Sequence, residues 1–140
     1  MRHLTQRVLG TAMVAAAVCV AACGSGGAGD SGLMEVQRVT SGDLDIVLLS
    51  EDGALNKGKE SFVIEFRKDG SLVDAGNVTT SANMTMPGMT MPGGVQVERS
   101  DVPGRYRATG DFGMAGGWQM KVDWNGPAGK GAVSFDGTVQ

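Results

Sequence analysis

Trp118-Gln119-Met120-Lys121-Val122-Asp123-Trp124 alternates large apolar and polar residues without a break. A period of two is the mark of a strand with one buried and one wet face, and a helix would need a period near 3.6. Trp118, Met120, Val122 and Trp124 are therefore assigned to the core. The same pattern recurs outward from this run. Tyr106, Ala108, Gly110 and Phe112 alternate with Arg105, Arg107, Thr109 and Asp111. Phe62, Ile64 and Phe66 share one face, with Glu65 and Arg67 opposite. Leu44, Ile46 and Leu48, then Val95 and Val97, then Val133 and Phe135 complete the series. Turn formers stand between the runs: Asp52-Gly53, Asp69-Gly70, Pro92-Gly93-Gly94, Pro103-Gly104, Asn125-Gly126-Pro127 and Asp136-Gly137. Short strands at this spacing predict an all-β fold, an antiparallel β-sandwich of about seven strands over residues 33–140.

The beginning of the chain reads differently. Arg2 and Arg7 precede Val8 to Ala22, an apolar stretch too short for a comfortable membrane span. Val20-Ala21-Ala22-Cys23 then looks like a lipobox, the processing sequence of bacterial lipoproteins. Residues 1–22 are read as a lipoprotein signal peptide. By that likeness cleavage falls before Cys23, whose sulfur receives the diacylglyceryl group that ties the protein to the membrane. Residues 23–32, the lipidated Cys and a Gly/Ser-rich stretch, form a flexible tether. Gly24, Gly26 and Gly29 match a dinucleotide fingerprint by chance, since no strand precedes them and no helix follows.

Composition narrows the chemistry. Of 140 residues, the single His (His3) and both Cys (Cys19 and Cys23) lie in the first 23. The folded part therefore works without imidazole or thiol, which excludes His-assisted nucleophilic catalysis, Cys/His zinc sites and internal disulfides. Once Arg2 and Arg7 are removed, 10 basic groups face 15 acidic ones, a formal charge of −5. That balance argues against nucleic acid as a partner. Asp43 with Asp45, and Glu51 with Asp52, are the close acidic pairs, and they read as solvated strand ends. Arg105 and Arg107 share an outward face, where solubility and cross-strand pairing are the expected roles.

One feature is unusual. Residues 84–93 read Met-Thr-Met-Pro-Gly-Met-Thr-Met-Pro-Gly, a tandem five-residue repeat. In extended chain Met84 and Met86 point the same way, as do Met89 and Met91. The segment is expected to be an edge strand followed by a loop, with paired thioethers projecting. Thioether sulfur is a soft, neutral ligand suited to Cu(I) or Ag(I). Met84, Met86, Met89 and Met91 are the candidate ligands, and Met114 adds a further sulfur if its loop meets theirs. Two other readings stand beside this one: Met as a flexible packing residue, and a Met-rich patch that docks a protein.

Three pieces, in order along the chain, carry a family likeness. They are Asp69-Gly70 leading into Ala75-Gly76-Asn77-Val78; then Met86-Pro87-Gly88-Met89; then Gly104-Arg105-Tyr106 followed by Phe112, Met114, Gly116, Trp118 and Val122. By these the chain resembles the YtkA-like family of small extracytoplasmic domains, related to FixH-like domains, over roughly residues 40–124. The resemblance implies an immunoglobulin-like sandwich. It also implies an extracytoplasmic setting, since members occur as stand-alone lipoproteins and fused to adaptors of heavy-metal efflux systems. It carries over no catalytic activity. Tyr106, Phe112, Gly116, Trp118 and Val122 are read as a core and hairpin signature.

The expectation is a non-enzymatic lipoprotein of the cell envelope, facing the extracytoplasmic side. Its leading role is binding or accessory work, with Cu(I) or Ag(I) held by the Met repeat. The competing role is docking to an envelope complex, such as an efflux adaptor or an oxidase-assembly factor.

Overall fold

The computed structural model describes residues 32–140. The stretches read above as signal peptide, lipobox with Cys23 and tether lie, except for residue 32, outside the described residues. From Met34 onward the alternation resolves into nine strands: β1 (Met34–Ser41), β2 (Leu44–Ser50), β3 (Gly58–Lys68), β4 (Ser71–Leu72), β5 (Asn77–Met86), β6 (Met89–Arg99), β7 (Arg105–Phe112), β8 (Gly116–Gly126) and β9 (Gly129–Val139). Every ladder between them is antiparallel.

Two sheets face each other across one core. The first runs β1-β2-β3-β7-β6, with the short β4 on β3, and the second runs β6-β5-β8-β9. Strand β6 belongs to both. Up to Gly93 it pairs with β5, and from Gly94 it pairs with β7. The sandwich is thus closed like a barrel on that side.

The expected seven strands become nine for physical reasons. Strand β1 carries a bulge between Glu35 and Gln37, which breaks its period of two and hides it from a parity reading. Strand β4 is two residues long. Two expected turns are also displaced. Pro92-Gly93-Gly94 lies inside β6, and Asp136-Gly137 lies inside β9. Other turns fall where expected. Asp69 and Gly70 both take positive φ (51° and 80°) in the two-residue connection from β3 to β4, the left-handed pair that a type I′ turn needs.

The inward faces are those the alternation assigns. Ile46, Leu48, Ile64, Phe66, Tyr106, Phe112, Trp118, Met120, Val122 and Trp124 are all buried. Phe66 meets both Tyr106 and Trp124 edge-to-face with ring centres 5.5 Å apart, and Phe112 meets Trp118 likewise at 5.3 Å. Such offset contacts contribute about 0.5–1.5 kcal/mol each beyond area burial.

The outward face of the first sheet is not uniformly wet. Glu65 on β3 stands opposite Arg105 on β7, and both are buried. Arg105 donates to Glu65 Oε1 from Nε at 3.0 Å and from Nη2 at 2.6 Å. Arg67 donates to Oε2 from Nε at 2.7 Å and also from Nη2. One carboxylate thereby accepts from two guanidinium groups on neighbouring strands. The pairing agrees with the cross-strand role expected for Arg105, but the burial does not follow from alternation.

Removing one member of a buried ion pair leaves the other charge uncompensated. Glu65→Leu should lower unfolding stability by about 3–5 kcal/mol in urea titrations. Replacing Glu65, Arg67 and Arg105 together by apolar residues should recover a large part of that loss.

Candidate functional site

The two pentapeptides of the Met repeat are identical in sequence and different in structure. Pro87 and Gly88 of the first copy form the two-residue connection between β5 and β6, with Met86 opposite Met89. Gly88 takes φ +78°, which the third position of such a turn requires of glycine. Pro92 and Gly93 of the second copy continue as strand.

Met84-Thr-Met-Pro-Gly-Met-Thr-Met91 reads the same on either side of its Pro-Gly centre. Folding at that centre sets Met86 against Met89, Thr85 against Thr90 and Met84 against Met91. Directly opposed residues of an antiparallel pair share a face, as do residues two apart on one strand. All four methionines therefore stand on one face, and both threonines stand on the other. The expected edge strand and loop give way to a hairpin. Only its second arm lies at the edge, because β5 sits between β6 and β8. Pro92 lies on that edge arm, where its missing N–H leaves no donor for a foreign strand.

The methionine face is graded from core to solvent. Met84 is buried, 7% exposed; Met86 and Met91 are half-buried and pack against the core; Met89 is 59% exposed. A Cβ built on Gly116 would lie 2.5 Å from the Met84 methyl group, so Met84 fills the space that Gly116 leaves. Gly116 itself takes φ +136° at the start of β8.

Trp118 holds the base of this hairpin. It stands opposite Met84 on β8, and its ring lies over Gly93, where a Cβ would come within 2.7 Å of the ring. Its indole N–H donates to the carbonyl of Met114 at 2.8 Å, fixing the connection from β7 to β8. The Met114 side chain is 41% exposed. Of the signature residues, Tyr106, Phe112, Trp118 and Val122 are buried and Gly116 makes the strand entry. Tyr106 donates its hydroxyl to the Gly76 carbonyl at 2.9 Å, and burial pushes its pKa up.

Asp43, Asp45, Asp52 and Asp74 are engaged structurally. Asp43 meets Lys68 at 2.7 Å, and that ammonium holds its carboxyl below the usual range. Asp45 meets Arg38 at 3.1 Å. Asp52 accepts from Asn56 and from the Ala54 N–H, and both lower its pKa. Asp74 is lowered chiefly by the Gly76 N–H, and by Arg99 at 2.6 Å. Among the described residues, no group of three or more His, Cys, Asp or Glu comes together to hold a metal ion.

These features define a small antiparallel β-sandwich domain. A family model described as YtkA-like matches residues 38–123, and the chain belongs to that family. Among solved structures, a DUF4426 family protein from Pseudomonas aeruginosa PAO1 is similar in fold, with a TM-score of 0.52 and 17% sequence identity. The similarity covers 79% of this chain and 96% of that one. No curated protein matches the chain by sequence.

The contact between Trp118 and Gly93 is rigid on both sides. Gly93→Ala should displace the indole, destabilise the domain by about 1–3 kcal/mol, and redshift tryptophan emission. Thermal unfolding and fluorescence measure both effects.

Proposed function

We propose that this YtkA-like domain is a non-enzymatic accessory module that binds a soft monovalent cation, Cu(I) or Ag(I), on its methionine face. The observation that carries the reading is the mirror arrangement about Pro87-Gly88, which gathers four thioethers on one side of one hairpin. Met86, Met89 and Met91 are the ligands proposed, since each retains access or lies beside one that does. Met84 serves mainly to pack against Gly116, and Met114 on the neighbouring connection is the supplementary sulfur. Neutral thioethers favour a soft monovalent cation and disfavour Zn²⁺, Mg²⁺ and Ca²⁺.

The setting proposed is the cell envelope. Cys23, lipidated after cleavage, would hold the domain on the extracytoplasmic side of a membrane through the 23–32 tether. Two or more acyl chains anchor stably where a single one does not. A second reading rests on the exposure of Met89 on the hairpin and of Met114 on the connection from β7 to β8: the methionine-rich edge docks an envelope complex, such as an efflux adaptor or an oxidase-assembly factor, without metal.

Titrating the purified protein with Cu(I) against a competing chelator should give saturable binding. Replacing Met86, Met89 and Met91 by Leu should abolish it and leave the unfolding temperature within a few degrees. Absence of saturation, or binding unchanged in that variant, would leave docking as the better reading. Separately, Cys23→Ser should release the protein from the membrane fraction and remove its lipid label.

A further inference from the structure

Away from the hairpin, the outermost strands of the two sheets approach each other. A cavity of about 330 Å³ opens between β1 and β9, bounded also by the connection from β2 to β3. Its floor is the core itself: Leu48, Phe112, Trp118, Met120 and Phe135, all buried. Its far end is clamped shut. Leu55 bridges Val139, the Gln140 N–H donates to the Leu55 carbonyl at 2.9 Å, and the Lys57 N–H donates to the Gln140 carbonyl at 2.7 Å. The connection that forms this lip is itself tied by Ser50, which donates to the Ala54 carbonyl at 2.7 Å.

The cavity has a cause in the sequence. The inward row of β9 reads Gly131, Val133, Phe135, Gly137, Val139. Gly131 is forced, because a Cβ there would meet the Trp124 ring at 2.5 Å. Gly93 and Gly110 are inward glycines forced in the same way by Trp118 and Phe112. Gly137 is not forced. The nearest atom to a Cβ there is the flexible Gln37 side-chain oxygen at 3.7 Å, and its φ is not in the left-handed region. It stands opposite Trp118, between buried Phe135 and Val139, where alternation calls for an apolar side chain. The fold tolerates a larger residue at this point, yet the position is left empty and the core stays open.

We propose that this cavity is a binding site for a small amphiphile, which inserts its apolar end beside Trp118 and keeps an uncharged or cationic head at the mouth. A dry apolar cavity of about 150 Å³ accommodates benzene, so this one takes an apolar group of roughly ten carbons. Gln37 stands at the mouth, and no Lys or Arg lines the cavity; the Asp136 carboxylate lies on the outward face of β9, where it accepts from Gln119 at 2.9 Å. An anionic head would therefore meet no counter-ion, on a domain whose acidic groups outnumber its basic ones. An apolar floor with a few polar groups at a preformed opening is the usual anatomy of a small-molecule site.

Three ten-carbon probes test this on the purified protein: decanol, decyltrimethylammonium and decanoate, each below its micellar concentration. Decanol and decyltrimethylammonium should give a saturable change in tryptophan emission, because Trp118 lines the cavity. Decanoate should bind about tenfold more weakly or not at all. Gly137→Leu should fill the space, remove the response to all three, and unfold at the same temperature or higher. If Gly137→Leu does not fold, Ala54→Leu at the lip replaces it with the same expected loss of binding. The proposal is overturned by an unsaturable response to both favoured probes. It is equally overturned by unchanged binding in the filled variant, or by decanoate binding as well as the others. The triple Met→Leu variant of the hairpin should bind the probes normally, which separates this site from the methionine face.

Discussion

The indole of Trp118 occupies the place where a side chain at position 93 would stand, and the rest of the architecture is arranged around that occupation. Position 93 has no Cβ because the ring is there. At that residue β6 leaves one sheet, and at the next it joins the other. The same indole faces Met84 across the ladder and holds the carbonyl of Met114. One side chain thus fixes the strand shared by both sheets, the base of the methionine hairpin and the connection beside it. Its apolar area accounts for the burial, and its single N–H accounts for the direction.

Electrostatics plays a complementary part on the opposite side of the first sheet. There the alternation assigns Glu65 and Arg105 to solvent, yet the carboxylate is enclosed by two guanidinium groups. A buried charge is tolerable only when its hydrogen-bonding capacity is used, and here both oxygens are engaged. Such a cluster adds little net stability over an apolar equivalent. It does penalise slippage of β3 against β7, because a one-residue shift would separate the partners and bury them unpaired.

The legibility of the fold tracks the local integrity of the period of two. The run at 118–124 keeps it throughout and 106–112 keeps it beyond Arg105, whereas in 62–66 the inward row is legible but Val63 and Glu65 on the other face are buried as well. Strand β1 loses it at its bulge. Strand β5 blurs it, because its inward row of Val78, Thr80, Ala82, Met84 and Met86 mixes polar, small and flexible residues. Gly93 and Gly137 resemble turn residues for a reason that alternation does not weigh: a glycine can mark a tertiary neighbour or an opening instead of a reversal. The methionines were visible as a repeat, and their same-strand pairs follow from parity. Their gathering on one face depends on which of two identical Pro-Gly steps reverses the chain. That choice lies in the mirror symmetry about Pro87-Gly88, a signal present in the sequence that composition and spacing do not expose.

The hairpin also constrains how this segment can change over generations. Tandem repeats readily gain or lose copies, and the unit here is five residues, an odd number. Loss of one copy would shorten the path between β5 and the second half of β6 by an odd step. The reversal would then need a different turn length, or the Val95 and Val97 row would rotate from the core to the outside. Single-residue drift within the repeat is cheap by comparison, since Leu or Ile can replace a packed Met. The copy number is therefore held by the geometry of the sandwich, independently of any selection on the sulfur atoms it carries.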